Sequence, residues 1–550
     1  MSSAPQVTVA GGGIAGLSAA LRLAERGYQV KVFEPSARLG GNLGSRAGSD
    51  GVQHDVYPHM YLNWYRNLWQ LLEDVTDGDP KRSFTPYSTV WQLRRGEYPR
   101  FAGTRDAYSP WNPVHVLENL RSGVAPPPDM FLFGYASVDL LAERLHTTVQ
   151  LGELSISAFL GARPYMTDHA AEAYNSFITA VWALPSYLTS ARDYQEYLEY
   201  CLADPTPAFW LPRRPAAEVV ISPLVGALRR LGVEIVQGVR VAGVCCDGGR
   251  VSEISVDRGT VDPGSGSWSG SGESWREPVD ELILAVPPME LSRLVRTGDS
   301  GRTVVERVPK MAELSRLRAN PIPIIHLYLR RTLRGLPAEP VGLSGSSLAL
   351  AFTDISQTWP GVFGDGTVLA LSASDPYGLP RTSPEDDAFA ILREAAEYLD
   401  FDPGSAWGEP GDIDWDRTRY NSNADAKLFI NEIGTDPWRP PTRCEELANL
   451  CFAGDFCVGK IGMTTIESAV IGGVEAAAAI VAQRGFGEPV EVLAPRRLPP
   501  ALYAWLRGAW APYAAYAKWW SMAEDMARGA GSRVAEASAM LGRLVGGSRH

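Results

Sequence analysis

A chain of 550 residues is longer than one typical domain, so at least two folded units are expected. Hydrophobic residues make up 45% and charged residues 21%, which is the balance of a globular protein and excludes a disordered chain. The net charge of −12 argues against nucleic acid as a general partner.

The first six residues, MSSAPQ, lead straight into an apolar strand at Val7–Ala10, which leaves no room for a signal peptide. Gly11, Gly13 and Gly16 then spell G-x-G-x-x-G, and Leu17, Ala20, Leu21 and Leu23 recur at helical spacing. A second strand runs from Gln29 to Phe33 and ends in Glu34. Each part has a mechanical reason. Gly11 permits the tight turn, Gly13 lets backbone approach a pyrophosphate, and Gly16 lets helix and strand pack closely. The helix N-terminus offers free N–H groups and partial positive charge to an anion. Glu34 stands where a carboxylate accepts hydrogen bonds from a ribose. The unit predicts a dinucleotide site.

From about 75 to 210 the chain is rich in aromatics, with helical patterning at Leu151–Leu160, Ala170–Leu184 and Tyr194–Leu202. Short strands are predicted at Val233–Val236, Val239–Val244 and Val251–Val256, closed by Leu282–Val286. The Gly/Ser-rich run 262–274 reads as an exposed hairpin tip or a disordered loop. Pro321–Arg331 is a strand in a separate setting, and Asp386–Leu399 a helix packed on a sheet. Leu450–Ala453 is again a short apolar strand, followed by Gly454, Asp455, a loop, and a helix starting near Thr464 or Thr465, both good capping residues. The six cysteines form no C-x-x-C pair, as expected of a reduced, cytoplasmic protein. The seven histidines show no H-E-x-x-H pattern, so no metal site is expected. No uncharged apolar run is long enough to predict a membrane span.

Arg38, Gly40 and Gly41 extend the first motif to E-x-x-x-R-x-G-G, and Ala453–Asp455 with Glu467–Ala469 gives A-G-D followed by a helix carrying E-S-A. Together these resemble the flavin amine oxidase and carotenoid desaturase superfamily, strongly at the two ends of residues 5–485 and weakly between. The resemblance implies non-covalent FAD, with Gly11, Gly13, Gly16, Glu34, Arg38, Gly40, Gly41, Asn42, Arg46, Val241, Gly454, Asp455, Met463, Thr464 and Thr465 in its site. The common pattern has an arginine directly after Gly-Gly. Here Asn42 stands there and Arg46 follows four residues later, which leaves open the side chain that reaches the pyrophosphate. In the family the aspartate contacts the ribityl–pyrophosphate part, and the next helix points its N-terminus at the flavin N1–C2=O edge. Negative charge near N1 of reduced flavin suits that placement. Cys451 and Cys457 lie close in sequence to this segment. The implied fold class is α/β. A discontinuous Rossmann-like FAD-binding domain (5–74, 211–295, 447–490) carries an inserted mixed α+β substrate domain (75–210, 296–446) and a helical extension (491–550).

Asp55–Val75 resembles the D-x-G-x-H segment, aromatic run and amphipathic helix of ζ-carotene desaturases and hydroxysqualene dehydroxylases, with Tyr57 in place of the family glycine. His59 matches the histidine that lies near the flavin ring there; the plain alternative is a structural histidine beside Pro58. The reading is an FAD-dependent oxidoreductase, a desaturase or dehydrogenase. It takes hydride from a C–H bond of a hydrophobic, isoprenoid or carotenoid-like substrate to flavin N5, with His59 positioning substrate or handling a proton. Oxygen or a quinone is the final acceptor. The alternative is an amine or amino-acid oxidase producing imine and hydrogen peroxide; that branch commonly carries a lysine on a substrate-domain strand, and Pro321–Leu329 has none. A third reading is a flavin-binding protein without turnover. Asp425, Glu467 and Tyr57 are weighed for a second acid–base role without a geometric warrant.

Residues 491–550 hold eight Lys and Arg against four Asp and Glu, with Trp505, Trp510, Trp519 and Trp520. Leu502, Leu506, Trp510, Tyr513 and Trp520 are expected to share a helical face, interrupted at Pro512. Basic residues with interfacial aromatics suit a helix on an anionic membrane surface, a peripheral contact. Packing on the protein's own body or on a second subunit is the slightly favoured alternative.

Overall fold

The computed structural model describes residues 4–106, 109–143, 151–182, 184–262, 265–296, 304–430 and 432–546. Strands β1 (Gln6–Ala10), β2 (Gln29–Glu34), β3 (Glu234–Gln237), β4 (Glu281–Leu284) and β5 (Leu450–Phe452) form one parallel sheet in the order β3–β2–β1–β4–β5. Helices cover such a sheet, so its strands read as nearly continuous apolar runs. β4 and β5 are buried throughout, and β1 at all but its first residue.

Helix α1 (Ile14–Ala24) follows β1, α2 (Arg66–Val75) lies farther along, and α5 (Ile466–Arg484) follows β5, while α3 (Pro127–Glu143) and α4 (Ala191–Ala203) belong to the intervening chain. α1 and α5 cross in close contact: a Cβ built on Gly473 would stand 2.1 Å from the Ala15 carbonyl oxygen. By length and composition α5 passes for a membrane span, but it is mostly buried and serves as a core helix.

A second sheet has seven strands in the order Arg419–Asn421, Ile324–Leu329, Thr367–Ala373, Leu350–Asp354, Val341–Ser344, Thr89–Arg94 and Phe101–Arg105. Side chains alternate across it. Ile325, Leu327, Leu369 and Leu371 pack with Ile391 and Leu392 of the helix Pro384–Ala396, whereas Ile324, His326 and Ala370 point the other way, into the cavity described below.

Two expectations are corrected. The Gly/Ser-rich run is largely a strand: Trp268–Pro278 pairs antiparallel with Arg250–Val261, leaving only a short tip, of which Pro263 and Gly264 lie outside the described residues. Small side chains do not hinder ladder hydrogen bonds, and Trp268 and Trp275 supply the anchoring bulk. The final helix, α6 (Pro500–Gly546), is not broken at Pro512. Pro512 is exposed and its i−4 neighbour is Gly508, which has open space around it; water there can satisfy the carbonyl that proline leaves unpaired. Nor do the five named residues share a face. Tyr503, Leu506, Ala514, Ala517 and Ser521 are the buried side, and Trp510 stacks on Phe131 at 5.2 Å. Ser521 donates to Asp129 of α3 at 2.7 Å, and Arg507 to Glu143 at 3.1 Å. Trp505, Tyr513, Tyr516, Trp519 and Trp520 face outward and are exposed.

Candidate active site

A cavity of about 770 Å³ lies between the parallel sheet and the seven-stranded sheet. One end is built from the glycine turns. Gly11 has φ +111°, and a Cβ there would meet the Ala285 carbonyl oxygen at 2.2 Å, so only glycine fits this turn. Gly13 caps α1, whose first turn holds no acidic residue, leaving the positive end of the helix dipole unopposed. The loop carrying Gly40 and Gly41 lies on this turn: the Gly40 N–H donates to the Gly12 carbonyl at 2.8 Å. Glu34 accepts from the N–H of Gly12 at 2.7 Å and of Ser36 at 2.8 Å. Burial pushes its carboxyl above the usual range, while those two donors pull the other way.

The second helix terminus points at the same cavity. Thr465 caps α5 in a reciprocal box, accepting from the Ser468 N–H at 3.0 Å while the Thr465 N–H donates to the Ser468 hydroxyl at 2.9 Å. Glu467 of the first turn is turned away: it accepts from the Asn67 N–H at 2.7 Å and the Leu68 N–H at 2.9 Å, and so caps α2. Burial pushes its carboxyl up to about 7. Between β5 and α5, Arg439 is buried and donates to the carbonyls of Asp455, Phe456, Cys457 and Gly462. A guanidinium's five donors suit such a loop of carbonyls. Burial pushes Asp455 up to about 6, with Arg439 opposing the shift.

Of the residues proposed from sequence, Gly11, Gly13, Glu34, Arg38, Gly40, Gly41, Asn42, His59, Val241, Gly454, Asp455, Thr464 and Thr465 line this cavity. Gly16 does not; its place is tight packing, since a Cβ there would stand 2.0 Å from the Gly11 carbonyl oxygen. Arg46 does not line it either: it pairs with Asp425 and hydrogen-bonds Asn423. Arg38 pairs with the same carboxylate at 3.1 Å, and Asn42 donates to the Lys427 carbonyl at 3.2 Å. Met463 is a core residue, fully buried among apolar side chains, and does not line the cavity. Asp425 is thus an ion-pair partner and Glu467 a helix cap. Tyr57 lines the cavity with its hydroxyl donated to the Ala426 carbonyl at 2.6 Å. Cys451 and Cys457 are buried away from the cavity wall, and burial holds the Cys451 thiol up at about 12.

His59 has a buried Nδ1 without a partner, and burial lowers its pKa to about 4, so the ring is neutral at neutral pH. Sequence reasoning missed three further residues. Trp268, from the hairpin, lines the cavity beside Val241, with the Arg240 guanidinium 4.7 Å from its ring and its own Nε1 buried and unpartnered. His326 stands on the seven-stranded sheet, buried, facing the cavity. Arg439 is the third. No local motif marks any of them; they join the site only through strand pairing and long-range packing.

Two helix N-termini aimed into one cavity, a glycine cradle that a Cβ would fill and a carboxylate at the tip of β2 fit FAD, and define a two-sheet flavoprotein oxidoreductase. Residues 14–481 match the family of flavin containing amine oxidoreductases, and the chain belongs to that family. It is 24% identical over 280 residues to the carotenoid phi-ring synthase of Chlorobaculum tepidum (47% of this chain, 40% of that protein). It is 33% identical over 70 residues to the zeta-carotene desaturase of Synechocystis (13% of this chain, 14% of that protein). To the 15-cis-phytoene desaturase of Glycine max it is 22% identical over 488 residues, 86% of this chain and 79% of that one. The chain thus spans well under half the length of the first two of these relatives and most of the third. Among solved structures, cyclohexylamine oxidase from Brevibacterium oxydans superposes with a TM-score of 0.56 at 15% identity, covering 88% of this chain and 99% of that one. An oxidoreductase from Methanosarcina mazei does so at 0.56 and 14%, covering 86% and 99%. At such identities the likeness speaks for the fold alone.

Proposed function

We propose that this chain is a desaturase or dehydrogenase acting on a hydrophobic, isoprenoid or carotenoid-like molecule. One observation carries the reading: the cavity wall supplied by the seven-stranded sheet. It consists of Ile324, Ala351, Phe352 and Ala370, with His326, Thr353 and Ser372 as its polar members, and no carboxylate. A cationic amine entering this wall would lose hydration without a counter-charge, which is costly; an apolar chain gains from burial there. The desaturase relatives support the same choice of substrate class.

FAD, when bound, supplies the hydride acceptor. The chain's own residues do the rest. The N-termini of α1 and α5 would turn positive dipole ends towards its phosphates and ring, and Glu34 would accept from its ribose. Tyr57, fixed by its bond to Ala426, packs edge-on to His59 at 6.3 Å and holds that ring at the cavity wall, where a neutral imidazole positions the substrate. The outward aromatic face of α6 suits contact with a lipid surface, where such a substrate dissolves. Oxygen or a quinone would be the final electron acceptor.

The test is anaerobic mixing of the flavin-loaded protein with liposomes carrying phytoene or ζ-carotene, and separately with cyclohexylamine or putrescine. Bleaching of the flavin absorbance by a polyene and not by the amines is the expected result. Bleaching by an amine alone, with peroxide on admitting air, would replace this reading with amine oxidation.

A further inference from the structure

The diphosphate of FAD is doubly negative, and one helix N-terminus answers with about half a unit of positive charge. Glu34 and Asp455 add two carboxyl groups to the same cavity wall. A diphosphate taken out of water here needs a full cation beside it. The arginines that follow the glycine motif are engaged elsewhere. Arg38 gives Nη2 to Asp425 Oδ2 at 3.1 Å and Nη1 to the Gly41 carbonyl, and Arg46 is held by Asp425 Oδ1 and Asn423. Arg240 and Arg293 stand at Val241, paired with Asp257 at 3.3 Å and with Glu290 at 2.8 Å.

Lys427 is the remaining Lys or Arg on this wall. It is half-buried, and among the described residues its ammonium has neither a hydrogen-bond nor an ion-pair partner. Its position is nonetheless fixed. Residues 422–427 join the strand Arg419–Asn421 to the short strand Leu428–Phe429. Asn423 has φ +55°, a left-handed conformation that asparagine tolerates better than most residues. Its buried Nδ2 donates to the carbonyls of Val56 at 3.1 Å and Ile322 at 2.9 Å. Asp425 takes both arginines, the Ala426 carbonyl accepts from Tyr57 at 2.6 Å, and the Lys427 carbonyl accepts from Asn42 Nδ2 at 3.2 Å. Four residues of one turn thus grip the segment 38–57. The last of these bonds matters most. Asn42 follows Gly41, where an added Cβ would stand 3.2 Å from the Gly13 Cα. Gly13 caps α1, the helix end that offers N–H groups to a phosphate. Lys427 is therefore tied to the residue next to the phosphate cradle.

We infer that Lys427 is the cation that binds the diphosphate of FAD. Asn42, standing where the common pattern has an arginine, does not supply the charge; it anchors the backbone of the residue that does. Lysine suits the task. Its ammonium is a compact point charge on a four-carbon stem, with three donors that turn to meet a phosphate. The Asp425 carboxylate, by holding Arg38 and Arg46, keeps two guanidiniums directed at the loop rather than at the cofactor. The assignment concerns cofactor binding and holds whichever substrate the enzyme takes.

The test titrates full-length apoprotein with FAD, read from quenching of flavin fluorescence, and with ADP in competition against FAD. Wild type is compared with K427M, which keeps an apolar stem and removes the charge, and with K427R, which restores it. K427M is expected to bind FAD and ADP each about tenfold more weakly, the loss of one charge-assisted contact. K427R is expected to recover most of that loss, and added salt to narrow the gap between K427M and wild type. Because Lys427 holds no partner within the protein, the melting temperature of the K427M apoprotein is expected to match wild type. Wild-type affinity for FAD in K427M overturns the inference. So does a loss for FAD with ADP unchanged, which would put the lysine at the flavin ring. A K427M apoprotein that melts well below wild type would mark a structural role and overturn it as well.

Discussion

Gly473→Ala tests whether the α1–α5 crossing holds the cofactor machinery together. The added Cβ would sit 2.1 Å from the Ala15 carbonyl oxygen, 3.0 Å from its carbon and 3.1 Å from the Ala19 nitrogen, where ordinary contact begins at 3.4 Å. All three are backbone atoms of a helix, so no side chain can swing aside and the helices must separate by about an ångström. Overpacking of this kind costs about 1–3 kcal/mol. Both helices end in the N-termini that face the cavity, so the displacement moves N–H groups from phosphate and ring together. A loss of about 1.4 kcal/mol in cofactor binding raises its Kd tenfold. The assay pairs thermal unfolding with titration of apoprotein by FAD, read from quenching of flavin fluorescence. Gly226→Ala is the reference: it lies in the helix Ser222–Arg230, and its nearest neighbour would be an Arg230 guanidinium nitrogen at 3.6 Å. That change is expected to gain about 0.5–1 kcal/mol from helix propensity. A Gly473→Ala protein as stable and as flavin-loaded as Gly226→Ala would refute the reasoning.

Trp268→Ala removes an aromatic wall beside Val241 and Arg240 and is expected to weaken FAD binding about tenfold while leaving riboflavin binding unchanged, measured by the same titration. Asp193 is buried with Oδ1 unpartnered, and burial raises its pKa from 3.8 to about 8. The folded state then holds more protons than the unfolded one between those values, so this residue's contribution to stability falls as pH rises towards 8. Asp193→Asn should flatten that slope and raise the melting temperature relative to wild type at pH 8 and above; an unchanged pH profile would contradict it. Replacing Trp505, Tyr513, Tyr516 and Trp519 together by serine should abolish co-sedimentation with anionic liposomes and leave flavin content intact, because the buried side of α6 is untouched. Retained co-sedimentation would remove the membrane contact.

The first strand–turn–helix–strand unit is legible in sequence because every constraint in it is local. Gly11 needs a positive φ, the helix needs an unopposed N-terminus, and the carboxylate must follow the second strand directly. The segment from Leu450 to Thr465 is legible for the same reason. The length of the Trp268–Pro278 strand was not, since glycine and serine carry no period-two signal and the ladder partner alone defines it. The unbroken α6 at Pro512 depends on which side faces water, and that follows from docking on α3. His54, 272 positions before His326 in the numbering, meets it only because the Ser45–Ala47/Gln53–Asp55 hairpin packs beside the strand Ile324–Leu329. Spacing from Gly-Gly makes Arg46 read as a cofactor ligand, because it says nothing about Asp425, nearly 400 residues away in sequence, which pairs with it.

Under the proposed function this cavity dehydrogenates an apolar chain. The most direct measurement is an anaerobic single turnover in which a known amount of oxidised flavoprotein meets phytoene or ζ-carotene in liposomes, with products resolved by mass. One polyene lighter by two hydrogens per flavin reduced is the predicted result. Full flavin reduction by an amine, with every polyene recovered unchanged, would contradict it.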